Sequence, residues 1–228
     1  MLLGSGKLSG IFTGGSLLNR LALTLLIILF CATPFVAQTK RKKSNPRQGT
    51  PQPRTELIAV VDEHFPEVWK PFRSAEGRFS VLLPGEPKEA TQVQDVEGRK
   101  FTTHILQLLS PNALYEVSFV DFPVEVELSE KAKGTLDALR IDTLEKDKGK
   151  LLAELDLFVA NHPGRYIVWR TEKGLIWRAK YFLAGYRIYM LSFGVPEESN
   201  LPTEIQQFRE SIAKKFLDSF IIFAELPK

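Results

Sequence analysis

The groups that could do chemistry in this 228-residue chain are three histidines, one cysteine, and scattered serines and carboxylates. Their spacing assembles no familiar site. His64, His104 and His162 stand far apart, without a His-x-x-x-His pair or a cysteine nearby. Asp62, Glu63, His64 and Glu67, in DEHFPE, form a locally metal-like set. A metal needs convergent ligands held by a supporting layer, so the stretch reads as an exposed acidic lead-in. His162, before Pro163-Gly164, reads as a turn residue, and His104 as a surface position on a strand. Ser74, Ser80, Ser118 and Ser192 lack the turn-and-base context of an activated nucleophile. Asp121, at a strand end before Phe122-Pro123, is either a carboxylate in a cleft or a local turn former. We therefore expect no catalytic residue, no metal ligand and no cofactor, and a protein that is not an enzyme.

Glycine after a strand can cradle a phosphate, and GRFSVLLPGEP, residues 77–87, invites that reading. Glu86 repels phosphate and Pro87 removes a backbone donor. Pro84 and Gly85 instead have the composition of a type II turn over Leu83–Glu86.

The richer surface is basic and aromatic: Arg165, Tyr166, Trp169, Arg170, Trp177, Arg178, Tyr181, Arg187 and Tyr189. Arginine and aromatic residues are enriched at interface hot spots, and they also pack sheets internally. The partner-binding candidates are Arg165, Arg178, Arg187, Tyr189 and Asp121. The competing reading pairs Arg178 and Arg187 with acidic residues on a helix, such as Asp137 or Glu145.

The elements that would position these residues follow from periodicity. Arg78–Leu83 reads as a strand, Ala90–Val96 as a polar edge strand, and Arg99–Leu109 as its partner after a turn at Glu97-Gly98. In LYEVSFVDFP, Tyr115, Val117 and Phe119 alternate with Glu116 and Ser118, the pattern of a half-buried strand. A helix follows, with Ser129 as N-cap, a stripe of Ala132, Leu136, Leu139, Thr143 and Leu144, and a stop at Gly149. From residue 150 to 196, β-branched and aromatic segments are cut at His162-Pro163-Gly164, Lys173-Gly174 and Ala184-Gly185. Such short cuts imply antiparallel neighbours. A two-residue loop at Ala184-Gly185 would set Leu183 opposite Tyr186, Tyr181 opposite Ile188 and Ala179 opposite Met190. It would also gather Arg178, Lys180, Arg187 and Tyr189 on one face. The last helix carries Ile205, Phe208, Ile212, Phe216 and Phe220 along one side, capped by Asn200 or Thr203. The expected fold is α+β: a mostly antiparallel sheet of about six or seven strands with helices on its faces.

Charge divides the chain. Residues 1–54 hold eight basic side chains and no acidic ones, which leaves the remainder with 22 basic and 27 acidic residues. An acidic domain lacks the basic face that nucleic acid requires. Residues 1–37 contain an apolar run from Leu21 to Ala37, preceded by Lys7 and Arg20, and read as a signal peptide or an uncleaved membrane anchor. Residues 38–56 are a basic, proline-rich linker without periodicity, either solvated or in contact with anionic lipid or polymer. Residues 57–228 form one domain, whose opening stretch to Phe72 is a short helix or an extended lead-in. The expected location is exported, periplasmic or extracellular.

EGRFSVLLPGEP, YEVSFVDFP, HPGRY, RAKYFLAGYRIYML and FLDSF together resemble exported bacterial proteins of the PsbP-like (Mog-type/PsbP-type) α/β/α sandwich group, over residues 72–223. The resemblance implies a small, exported, non-enzymatic assembly or interaction module. It implies neither Ran binding nor photosystem binding, because no matching motif is present. The reading that follows is an interaction module of the cell envelope that docks a protein partner through its aromatic and arginine sheet surface. The alternatives are a small-ligand carrier or sensor with a pocket between helix and sheet, lined by Trp177, Tyr181 and Met190, and a hydrolase around Asp121. The oligomeric state is open.

Overall fold

The computed structural model describes residues 68–96, 98–111, 113–123, 131–198 and 201–223. The expectations for the signal or anchor, the linker, the DEHFPE set and the Ser129 and Asn200 caps lie outside these residues.

Among the described residues, ten strands and two helices follow in order: β1 (Lys70–Ser74), β2 (Phe79–Leu83), β3 (Lys88–Val96), β4 (Arg99–Leu109), β5 (Leu114–Asp121), α1 (Ala132–Lys146), β6 (Lys150–Val159), β7 (His162–Arg170), β8 (Leu175–Ala184), β9 (Arg187–Pro196), α2 (Thr203–Asp218) and β10 (Ile221–Ile222). Seven strands form one antiparallel sheet in the order β3-β4-β5-β9-β8-β7-β6. The remaining three make a small sheet, β1-β2-β10. The architecture is α+β, as the sequence implies.

The large sheet is covered on both faces. On one side α1 lays Leu136 and Leu139 against Ile167, Trp169, Trp177, Tyr181, Ile188 and Met190. On the other, α2 and the small sheet pack Ile212, Phe216, Phe79 and Val81 onto Tyr115, Phe119, Tyr189, Leu191 and Phe193. Each such large apolar side chain contributes roughly 1.5–3 kcal/mol when fully buried. The two covered faces therefore hold most of the apolar driving force.

Double coverage changes the reading of β5. Its alternation suggested one solvated face, yet Glu116 and Ser118 are buried along with Tyr115 and Phe119. The polar set lies on the α1 side, beside Gln107 and Ser192, its pairing neighbours on β4 and β9. A strand in the middle of a sheet covered on both sides has no wet face, whatever its own pattern.

Three turns also differ from expectation. Gly85 does not take the left-handed φ of a type II turn. The chain there passes from the small sheet to the large one, so no hairpin forms. His162, Pro163 and Gly164 belong to β7, and the reversal falls on Ala160 and Asn161, with φ of 48° and 65°. Positive φ at both central residues is the type I′ geometry that matches strand twist. The β8–β9 loop is Gly185-Tyr186, so Ala184 faces Arg187, Leu183 faces Ile188 and Tyr181 faces Met190. The register differs by two residues from the expected one. A shift of two preserves faces, and Arg178, Lys180, Arg187 and Tyr189 do share the α2 side.

The helix ends also differ from expectation. Helix α1 exits through Lys148, at φ 46°, with the Gly149 amide bonded to the Leu144 carbonyl at 2.7 Å. Gly149 is required for a different reason: a Cβ there would lie 2.6 Å from Trp169 Cδ1. Thr203 begins α2 after Pro202, and no side chain caps it.

Candidate functional site

The five candidate residues are positioned by β5, β7, β8 and β9, and the structure engages all five internally. Arg187 pairs directly across strands with Asp121, Nε to Oδ1 at 2.5 Å and Nη2 to Oδ2 at 2.6 Å. Its Nη1 donates to the Glu76 carbonyl at 2.9 Å, and its guanidinium lies 4.6 Å from the Phe119 ring centroid. Burial works against the Arg187 charge, but the bonds to Asp121 and Tyr189 outweigh it and hold the pKa above its ordinary value. The Tyr189 hydroxyl donates to the Gly77 carbonyl at 2.7 Å. Arg187 and Tyr189 thus fasten the β1–β2 turn to the main sheet.

Arg165 is 3% exposed and is tied to three carboxylates: Asp137 at 2.6 Å, Asp156 at 2.8 Å and Glu154 at 3.0 Å. Arg140 reaches the same Glu154 at 3.4 Å. The Arg165 hydrogen bond holds the Asp137 carboxyl below its usual range. Arg178 forms a two-point bond with Glu210 of α2, and Lys180 meets Asp218 at 2.5 Å. The helical partner expected for Arg178 is therefore real, but it lies on α2 and not on α1. Asp137 serves Arg165 instead.

These placements correct the expected contact surface. An aromatic and arginine face open to a partner is not what the sheet presents: Tyr189 and Arg165 are buried, and the Arg178 and Arg187 side chains are about nine-tenths covered. Asp121 alone keeps substantial exposure, and both its oxygens are engaged by Arg187. The expected carrier pocket is filled. Trp177, Tyr181 and Met190 are packed under α1, with Trp177 stacked on Trp169 at 6.0 Å.

Two features escaped the sequence reading. One is β6. Leu152, Leu155, Phe158 and Val159 on this strand are exposed, Leu155 by 60% and Phe158 by 71%. The α2-facing side of β6 opens into a groove of about 430 Å³ between the sheet and α2. Leu155, Leu157 and Tyr166 line one wall, Ala213 and Leu217 the other, and Lys180, Lys214 and Asp218 the rim. The apolar residues of LLAELDLFV were legible as strand; its place at a sheet edge was not.

The other is a polar cluster beneath α1. Glu116 is 2% exposed and accepts a hydrogen bond from Gln107 at 2.8 Å. Burial pushes its pKa up to about 7, opposed by the Gln107 bond and by Lys146, and assisted by Asp147. Burial likewise raises Asp142 to about 6 and raises Asp147, whose carboxylate accepts the Trp169 indole N–H at 2.9 Å. The Thr143 and Tyr181 hydroxyls bond each other at 2.7 Å close by.

His104 stacks on Phe119 at 4.5 Å and faces Glu76 at 3.4 Å, while burial lowers the pKa of His162. Among the described residues no group of three His, Cys, Asp or Glu side chains could hold a metal ion, and no helix is long and apolar enough to cross a membrane.

No protein-family model matches the chain, and no curated protein matches it. Among solved structures, it is similar to the cyanobacterial PsbP protein CyanoP from Synechocystis sp. PCC 6803, at 10% identity and TM-score 0.41, over 68% of this chain and 92% of that one. A Pseudomonas aeruginosa protein of unknown function, PA94, matches at 10% identity and TM-score 0.31, over 70% of this chain and 97% of that one. A crystal structure from Bacteroides thetaiotaomicron VPI-5482 matches at 18% identity and TM-score 0.33, over 68% of this chain and 49% of that one. At such scores the likenesses carry nothing about activity or partners.

Proposed function

We propose that this protein is a non-enzymatic interaction or assembly module of the cell envelope, exported by its N-terminal apolar run, that docks a protein partner at the β6 side of its sheet. The observation that carries the reading is the exposed apolar edge of β6: Leu155 and Val159 on the α2 face, with Leu155 lining an open groove, and Phe158 on the opposite face. A long apolar edge strand left unpaired is a mark of an interaction site. The arginines expected to make contact act as its frame instead: Arg165 ties β6 and β7 to α1, and Arg178 ties β8 to α2. The basic linker, residues 38–56, supplies electrostatic contact with anionic lipid or polymer.

Site-specific photocrosslinking in intact cells tests this reading. A photoreactive residue at Leu155 or Phe158 should give discrete protein adducts in the envelope fraction, and one at Val93 on the opposite edge should give none. Absence of adducts at both β6 positions overturns the reading.

The groove also favours a second reading, a carrier for a small amphiphile, with Leu155, Leu157 and Tyr166 against its chain and Lys180 or Lys214 at its head. Native mass spectrometry of the full chain from its own cells should then show a bound mass that is lost in Leu155→Glu. A ligand-free mass overturns it. The Asp121 geometry favours no hydrolase, since a carboxylate with both oxygens bonded to a guanidinium is a poor general base.

A further inference from the structure

The two edges of the seven-stranded sheet differ in chemistry. On β3 the residues are largely polar, including Glu89, Thr91, Gln92, Gln94 and Asp95. On β6 they are KLLAELDLFV, ten residues without proline. An edge strand presents unpaired backbone N–H and C=O groups, and long apolar edges are templates for another strand. A register irregularity between Leu151 and Ala153 interrupts β6 only near its start, leaving Ala153–Val159 regular.

We propose that β6 accepts an extended segment of a protein partner as an eighth strand, and that this segment alternates basic and apolar side chains. The inference rests on the docking function proposed above and adds the mode and the chemistry of the partner. Successive side chains of a strand point to opposite faces. On the α1 face, Glu154 and Asp156 border the edge, followed by Phe158; with Asp137 they set three carboxylates around Arg165, while Arg140 reaches Glu154 and Lys133 acts on Asp137. Asp156 retains 73% side-chain exposure despite its pairing. A basic side chain opposite exposed Asp156 or Glu154 is favoured, because opposite charges across strands attract. On the α2 face, Leu155 and Leu157 border the groove, where an apolar side chain covers them. Backbone pairing supplies affinity and the alternating pockets supply selectivity, as in other strand additions.

Charge disfavours a second copy of this chain in the registers centred on the middle of β6. Antiparallel self-pairing centred on Leu155 sets Glu154 opposite Asp156. Centring on Glu154 or on Asp156 sets that carboxylate opposite itself. Like charges directly opposite are destabilising.

The test uses the full chain in mild detergent and three synthetic peptides: an alternating Lys-Val octamer, a Glu-Val octamer, and a Lys-block, Val-block octamer of the first composition. The alternating Lys-Val peptide should bind at least tenfold more tightly than either control and protect β6 amides from hydrogen exchange. Leu155→Glu should weaken binding at least tenfold, and Val93→Glu should leave it unchanged. Equal binding of the three peptides, protection falling on β3, or a β6-paired dimer in crosslinking and sedimentation overturns the proposal. Adducts at Leu155 in cells, with no preference for the Lys-Val peptide, overturn strand addition alone. Absent adducts overturn the docking function itself.

Discussion

Arg187 and Asp121 face each other across β9 and β5, joined by two bonds of 2.5 and 2.6 Å. The same guanidinium reaches Glu76, in the turn between β1 and β2. One side chain therefore bridges two sheets. Arg187→Lys keeps the charge but not the planar fork, and cannot satisfy both carboxylate oxygens and the Glu76 carbonyl in the same way. We expect Arg187→Ala to cost about 2–4 kcal/mol, by analogy with other broken, largely covered pairs. Arg187→Lys should recover only part of this. Urea denaturation of the two variants checks the ranking, and equal stability of Arg187→Lys and the parent would contradict it.

Glu116 makes stability depend on pH. Its folded pKa, about 7, lies above its ordinary value of 4.5, so the native state binds the extra proton between those pH values. Stability from this group is fully present below about pH 4.5 and declines as pH rises toward 7. Asp142 acts in the same direction, between 3.8 and about 6. The groups facing Glu116 are Gln107 on β4 and Lys146 and Asp147 at the end of α1. Glu116→Gln should flatten the profile and raise stability at pH 8 by up to about 3 kcal/mol, on the scale of 1.36 kcal/mol per pKa unit. Denaturation midpoints at pH 5 and pH 8 for both proteins decide the matter. A parent more stable at pH 8, with Glu116→Gln unchanged, would refute it.

Gly164 has no room for a side chain. A Cβ there would lie 2.4 Å from the Tyr181 carbonyl oxygen, and a backbone atom in the middle of a sheet cannot swing aside. Gly164→Ala should therefore destabilise by about 1–3 kcal/mol through overpacking. Gly134→Ala is the control, because nothing lies within 4 Å of its Cβ position in exposed helix. There the substitution should stabilise by roughly 0.5–1 kcal/mol. Thermal denaturation with opposite signs for the two variants is the expected result.

The hairpin at Ala160-Asn161 can be improved. Both residues sit at positive φ, which suits Asn followed by Gly far better than Ala followed by Asn. The double variant Ala160→Asn, Asn161→Gly should gain on the order of 0.5–1 kcal/mol. A fall in melting temperature would show that the loop does not use this geometry.

Much of the fold was legible where a pattern belongs to one element. Of the expected stripes, Ile205, Ile212 and Phe216 on α2 and Leu136, Leu139 and Thr143 on α1 are buried; Phe208, Ala132 and Leu144 are half-buried, and Phe220 is buried just past the end of α2. Polar β3 lies at an edge, as its composition suggests. What failed depends on neighbours distant in sequence. Glu116 and Ser118 look wet until α1 covers them. Arg178 and Arg187 look available until Glu210 and Asp121 arrive from other elements. Leu155 and Phe158 look like core residues, because nothing in LLAELDLFV says that its second neighbour is missing. Residue type alone nominates a contact, whereas contact depends on what remains uncovered.

The small sheet has a mechanical consequence. Residue Lys70 opens β1, and β1 touches β2 through five pairs, from Lys70↔Leu83 at the free end to Ser74↔Phe79 at the turn. A pull on the chain ahead of Lys70 would open these pairs one after another, like a zipper, and a shared load across all of them would not develop. The force would then arrive at the turn, where Arg187 and Tyr189 grip Glu76 and Gly77. Stretching from this end would first draw Trp69 off Tyr115 of β5 and then spend itself on a short, sacrificial hairpin, with the grip of Arg187 and Tyr189 the last hold before the body of the seven-stranded sheet.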